Sequence, residues 1–294
     1  MVLLAACTRS SQGDTAKSSL ILCVDEVVAT RAVSPEETLI SDCNILIFNP
    51  YGDLEERVFI PSRSLRMRDG RFRYDVRLLR DVPYTVLCAF NMGYALPAMT
   101  LPQAREYRFF LAYPDEFTHG LPMVALRENT VPGDSLHLKA KRLVARIDLE
   151  VHRDEVPEGV VFKVTDVEVT GCPSSATLFP GSVVRDTFSR GYVHTCDGFD
   201  HPMSLYVLEN LGEGTALDIR VQYQGPDFNT PPGDKLHYRI PLPPLERNAI
   251  YPIIVKAGST LPEACPPPDA CRGRGPQDTS SAIAGRRRLW EGPE

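Results

Sequence analysis

Apolar and polar residues alternate along most of the chain, with the period of a half-buried β-strand rather than that of a helix. Residues 71–78 alternate strictly, which puts Phe72, Tyr74, Val76 and Leu78 on one face. Leu143, Ala145, Ile147, Leu149 and Val151 share a face against Arg146, Asp148, Glu150 and His152. Leu217, Ile219, Val221 and Tyr223 oppose Asp218, Arg220 and Gln222. Apolar runs bounded by turn residues predict further strands at 20–28, 43–48, 84–90, 107–112, 160–169, 205–208, 236–240 and 250–255. Asn49-Pro50-Tyr51-Gly52-Asp53 is a turn between two of them. Convincing helical periodicity is almost absent, and 26 prolines are spread through the connections. The pattern predicts an all-β protein of antiparallel sheets packed as sandwiches.

The pattern breaks at Thr130-Val131-Pro132-Gly133-Asp134-Ser135, which divides the strands into a first block at 20–134 and a second at 135–257. From Gly258 the composition turns to Pro, Gly, Ser and Arg, with Pro266-Pro267-Pro268 and Arg286-Arg287-Arg288. Such a segment cannot bury enough apolar surface to order itself, so 258–294 is expected to be a disordered tail. The head differs again. Residues 1–7 read M-V-L-L-A-A-C, and Leu4-Ala5-Ala6-Cys7 has the form of a bacterial lipobox, in which an apolar stretch and two small residues precede a cysteine that is lipidated on its thiol. Only six residues precede Cys7 and none is Lys or Arg, so 1–6 reads as a truncated lipoprotein signal. The polar, Ser- and Thr-rich residues 7–19 then form a tether, and the lipid on Cys7 anchors the protein to a membrane without spanning it.

Composition narrows the function. A hydrophobic content of 43% supports a real core, and a net charge of −6 with no basic stripe excludes a nucleic-acid binder. No stretch reaches the ~18 apolar residues of a membrane helix. Cysteines stand at 7, 23, 43, 88, 172, 196, 265 and 271, with no CxxC pair to suggest a zinc ribbon or a thioredoxin-type site. Cys88 lies inside an apolar strand and reads as a small buried hydrophobe. In an oxidising compartment pairs such as Cys265–Cys271 or Cys172–Cys196 are open, with the connectivity unfixed.

Candidate chemistry is sparse. His194, Cys196, Asp197, Asp200 and His201 mix softer and harder ligands in one loop and would suit a transition metal, but no metalloprotease spacing accompanies them and chance clustering in a polar loop is the simpler account. There is no Gly-x-Ser-x-Gly elbow and no phosphate-binding glycine loop, so neither catalysis nor a cofactor is expected. Tyr107, Phe109, Phe110, Tyr113 and Phe117 are dense enough to stack on sugars, although such density usually belongs to a core. Glu209-Asn210 and Arg247-Asn248, each at a strand end, are suited to capping backbone groups.

Three segments in order carry a family resemblance: Arg142-Leu143-Val144-Ala145-Arg146-Ile147-Asp148-Leu149, then Tyr206-Val207-Leu208-Glu209-Asn210 with Gly212 and Thr215, then Arg247-Asn248-Ala249-Ile250-Tyr251-Pro252-Ile253-Ile254-Val255. In the first block Thr30-Arg31 precedes Cys43-Asn44-Ile45-Leu46-Ile47-Phe48 and the Tyr51-Gly52-Asp53 turn, and Leu121-Pro122-Met123 follows. Over 20–256 the chain resembles the fimbrillin and fimbrial-anchor superfamily of Bacteroidota, of the FimA, FimB and Mfa type. The resemblance implies a lipoprotein precursor with two transthyretin-like β-sandwich domains, placed at the outer membrane and assembling into surface fimbriae for cell adhesion. It implies assembly with other fimbrial subunits by donor-strand exchange, in which a strand from a neighbour completes a groove, and contact with a host protein or glycan. In stalk subunits an Arg-specific protease removes the first strand; Arg31 stands where that cut would fall, while anchor-type members keep the strand. After Val255 the chain runs into Gly and Pro with no further strand to donate, which favours an anchor or accessory subunit. A stand-alone glycan-binding surface lipoprotein is the alternative.

Overall fold

The computed structural model describes residues 15–24, 35–66, 71–111, 120–132, 135–152, 161–181, 186–192, 203–224, 235–256 and 263–264. In chain order the first elements are β1 (Thr15–Val24), α1 (Pro35–Thr38), β2 (Cys43–Phe48), β3 (Leu54–Ile60), β4 (Arg71–Leu79), β5 (Tyr84–Phe90), α2 (Leu101–Glu106), β6 (Arg108–Phe110), β7 (Met123–Thr130) and β8 (Ser135–Arg142). There follow β9 (Val144–His152), β10 (Val161–Pro173), β11 (Ser175–Thr177), β12 (Thr187–Tyr192), β13 (Met203–Leu208), β14 (Ala216–Gln224), β15 (Lys235–Pro241), β16 (Ile250–Lys256) and β17 (Glu263–Ala264). The protein is nearly all β, as the alternation predicts. Two compact units emerge: Met1–Val144 with Ser174–Val183, and Ala145–Pro173 with Val184–Glu294. The loop at 130–135 was expected to part the two blocks; β8, just after it, hydrogen-bonds to β7 and β1 and lies in the first unit.

The first unit holds a seven-stranded sheet in the order β3-β2-β5-β7-β8-β1-β4. β7 and β8 pair at Met123–Arg142 and Val124–Lys141. Beyond that short join the two halves of the sheet share one core: Phe72, Val76, Leu78, Leu138 and Ala140 from one side, Ile45, Ile47, Val86, Cys88, Phe90, Met123 and Ala125 from the other. Every residue of β2 and β5 is buried, because their second face is covered as well. The segment after β5 crosses it: Leu96 N donates to Asn44 Oδ1 at 2.8 Å, Asn44 Nδ2 donates to Tyr94 O at 3.0 Å, and Arg57 Nε donates to Leu96 O at 2.8 Å. That segment ends in α2, a short helix the strand periodicity did not announce; Thr100 N donates to Gln103 Oε1 at 2.8 Å at its start.

The second unit is a sandwich of two four-stranded sheets, β12-β10-β14-β15 and β13-β9-β16-β17. Between them lie Val164, Val167, Val169, Ile219, Val221 and Ile240, facing Ala145, Ile147, Leu149, Val151, Leu205, Val207, Ile253 and Val255. The alternation had placed Arg146 and Asp148 on the outward face of β9, yet they are only 7% and 1% exposed. They remain tolerable there because Arg146 Nε donates to Asp148 Oδ1 at 2.6 Å and Ser204 Oγ donates to the same oxygen at 2.8 Å. Pairing is mostly antiparallel, with parallel pairs at β1–β8 and β9–β16. Of the tail from 258 on, the described residues are Glu263 and Ala264, which pair antiparallel with Ile254 and Ile253.

Candidate functional site: the place of the first strand

β1 lies between β4 and β8 and hydrogen-bonds to both. Its pairing with β4 is antiparallel, from Thr15↔Leu79 to Cys23↔Arg71, and with β8 parallel, from Ser19↔Ser135 to Val24↔Ala140. Among the described residues β4 pairs with β1 alone, so β1 joins β4 to the rest of the sheet. The floor on either side is apolar: Phe72, Val76 and Leu78 on β4, and Leu138 and Ala140 on β8, are buried. In register, Leu20 and Leu22 stand opposite Tyr74 and Phe72 and beside Leu136 and Leu138. Removing β1 would leave two facing edges of unpaired N–H and C=O groups above exposed apolar side chains, a slot for one extended strand. On the β4 wall, Tyr74 Oη donates to Glu56 Oε1 at 3.1 Å. Burial, reinforced by the Glu56 carboxylate, pushes its phenol up to about 12.

Cys7 and Arg31 lie outside the described residues, and so does the loop carrying His194, Cys196, Asp197, Asp200 and His201. Of the aromatic group, Tyr113 and Phe117 also lie outside them. The others part ways. Phe109 is buried, Phe110 is 71% exposed, and the Tyr107 and Tyr94 hydroxyls lie 3.2 Å apart. Burial, then Tyr107, raises the Tyr94 phenol above its ordinary value. Phe110, Phe109, Tyr94, Leu111, Asn91 and Gly120 border a cavity of about 90 Å³.

Sequence reasoning passed over Asn91, which holds that region together. It adopts φ 58°. Its Oδ1 accepts from Ser41 N at 2.7 Å and Ser41 Oγ at 3.2 Å, while its Nδ2 donates to Leu39 O at 2.8 Å and Leu121 O at 2.7 Å. Gly120, at φ +93°, presses against it: a Cβ there would meet Asn91 Nδ2 at 2.4 Å. The Asn-Met-Gly turn after β5 is the local signal that a positive-φ asparagine was in play.

In the second unit the two polar pairs read as caps come together. Asn210 does cap: its Oδ1 accepts from Gly212 N at 2.9 Å, and its Nδ2 donates to Thr215 Oγ1 at 2.6 Å and Gly171 O at 3.2 Å. Arg247 instead reaches Glu209, donating from Nη2 to Oε2 at 2.6 Å, with both side chains under 10% exposed. Asn210 and Leu245 bridge their backbones, and Tyr251 Oη locks the same turn by donating to Pro244 O at 3.0 Å and accepting from Glu246 N at 2.7 Å.

No protein-family model and no curated protein matches the sequence. Solved structures do match the fold. A fimbrial assembly protein from Parabacteroides distasonis aligns at 16% identity over 85% of this chain and 94% of its own, with a TM-score of 0.57. The tip fimbrial protein Mfa3 from Porphyromonas gingivalis, with C-terminal truncation, aligns at 13% over 85% of this chain and 98% of its own, TM-score 0.57. A fimbrilin (fimA) from Porphyromonas gingivalis aligns at 14% over 84% of this chain and 91% of its own, TM-score 0.59. The chain thus has the all-β fold of Bacteroidota fimbrial proteins, the group its sequence motifs resemble.

Proposed function

We propose that this protein is a lipid-anchored fimbrial subunit of the anchor or accessory type, working in cell adhesion at the outer membrane and assembling with other subunits by strand complementation. The observation that supports it best is the position of β1, a terminal strand paired on both sides and set over an apolar floor. A strand so placed is exchangeable: an extended strand from a partner can replace the backbone hydrogen bonds it makes. Cys7 and β1 stand on the same side of Arg31, so a cut there removes the lipid and the strand together. An uncut chain stays anchored with its slot filled; a cut chain is released with its slot open. The reading involves no catalytic step.

Intact mass spectrometry of the membrane fraction from the native host, comparing wild type with Cys7→Ala, tests this. A chain beginning at Cys7 and carrying acyl groups such as palmitate, lost in the variant, is expected of an anchor. A chain beginning at Ala32 without lipid would assign it to the stalk. An unlipidated chain retaining Met1 would overturn the anchoring.

A second reading, a stand-alone glycan-binding lipoprotein, is favoured by one observation, the exposed Phe110 beside the small cavity. Loss of binding to a glycan array in Phe110→Ala would support it, and an unchanged or absent signal would not.

A further inference from the structure

One outward sheet face of the first unit is basic, in a chain whose net charge is −6. On β4, Phe72, Val76 and Leu78 point into the core, which turns Arg73, Asp75 and Arg77 outward, and all three are exposed. On β8, Leu138 and Ala140 point into the same core, which turns His137, Lys139 and Lys141 outward, and these are exposed too. β1 lies between the two strands, so β4, β1 and β8 make one continuous surface. Arg73 and His137 both stand level with Ile21, with their backbones about 10 Å apart across β1, and Lys17 takes the register position opposite Arg77. Asp75 is the one acidic residue in the three strands, and it accepts from Arg73 Nε at 3.3 Å.

We propose that this face docks on the phosphate headgroups of the membrane that holds the chain. Its shape suits a bilayer, because the cations are spread over a broad sheet face instead of converging on one small ligand. Its charge suits a bilayer as well. An anionic surface attracts the Lys and Arg side chains held against it and repels a chain that is acidic as a whole, so the β4-β1-β8 side turns towards the lipid. Reach allows it: eight residues separate Cys7 from Thr15, where β1 begins, and such a stretch spans at most about 29 Å. The lipid fixes where the chain is held, and the basic face fixes which side it presents. The choice of a membrane over another polyanion rests on the proposed lipid at Cys7, whereas the attraction itself is read on a chain that carries no lipid.

The test sediments the full chain carrying Cys7→Ala with vesicles of phosphatidylcholine and phosphatidylglycerol in equal parts, and with vesicles of phosphatidylcholine alone. Binding to the anionic vesicles only, weakened by added salt, is expected. Adding Arg77→Gln and Lys141→Gln should lower that binding about 25-fold, since each cation near an anionic surface is worth roughly fivefold. Arg220→Gln, which removes an exposed cation of the second unit, should leave it unchanged. Circular dichroism checks the fold of each variant, and Lys141→Gln alone, with a loss of about fivefold, serves if the double variant does not fold. No binding to anionic vesicles, equal binding to both kinds, no loss in the variants, or an equal loss in Arg220→Gln would overturn the proposal. Retention on heparin without vesicle binding would also overturn it and assign the face to an anionic glycan. The mass spectrum of the native chain reads the lipid on Cys7 separately, so failure of the anchor and failure of the basic face are distinguishable.

Discussion

Asn91 works through its amide and its backbone at once, and each contribution can be separated. Asn91→Ala strands the Leu39 and Leu121 carbonyls and forces a Cβ-bearing residue without local hydrogen bonds to hold φ 58°. The expected cost is about 2–3 kcal/mol, read from urea denaturation, with Asn91→Gly relieving the backbone share. The Glu209–Arg247 pair behaves differently, because both charges are buried. Arg247→Ala leaves a carboxylate without its counter-ion and is expected to cost about 3–5 kcal/mol, while Glu209→Leu with Arg247→Met recovers most of that loss. Tyr74 sets an alkaline limit. Burial and the Glu56 carboxylate push its phenol up to about 12 in the folded chain, against about 10 for an ordinary tyrosine, so the folded state holds a proton that the unfolded state gives up. Its stabilising contribution is complete below pH 10 and is lost as pH rises through 12. Tyr74→Phe should flatten that decline in denaturant titrations run between those limits.

Strand β1 contributes through backbone pairing on two sides, which makes its sequence requirement loose and its hydrogen-bond requirement strict. A chain beginning at Ala32, given a synthetic Thr15–Val24 peptide, is expected to bind it in one-to-one ratio by fluorescence anisotropy. The same peptide with Ile21→Pro should fail, since proline removes a donor from a strand paired with both β4 and β8. Equal binding of the two peptides would mean that the slot does not read backbone at all. In the second unit β10 is kinked by a bulge between Val169 and Cys172. Gly171 sits there at φ +68°, where a Cβ would meet Gly214 O at 2.4 Å. Because that obstacle is backbone, Gly171→Ala should lower stability by more than the roughly 1–2 kcal/mol that the left-handed conformation alone costs an L-residue, measured by thermal unfolding.

The two units are interleaved along the chain: Ser174–Val183 returns to the first unit, where β11 pairs with β6 between Ser175↔Phe110 and Thr177↔Arg108. β1 pairs with β8 from Ser19 to Ser135, a closure across more than a hundred residues. Pairings of this kind incur loop entropy before they return stability. Refolding followed by far-ultraviolet circular dichroism is therefore expected in milliseconds to seconds or slower, with protection of the β4 and β8 amides appearing late in pulsed hydrogen exchange.

Where alternation was clear it gave both the strand and the face it buries: Phe72, Val76 and Leu78, then Ala145, Ile147, Leu149 and Val151, then Ile219 with Val221 all lie in the cores expected of them, whereas β3, β7 and β8 carried no such signal. A period of two records which side of a strand meets apolar surroundings, and that is a local property of the chain. It does not record which strand lies alongside. The parallel pairing of β1 with β8, the burial of Arg146 with Asp148 and the union of Glu209 with Arg247 each depend on a partner or an environment fixed elsewhere in the fold. Arg146 and Asp148 read as surface because an isolated charge belongs in water, and Glu209 and Arg247 read as separate caps because nothing local joins them. Only the folded chain supplies the counter-charge or hydrogen bond that makes burial affordable, and only it sets β1 between β4 and β8.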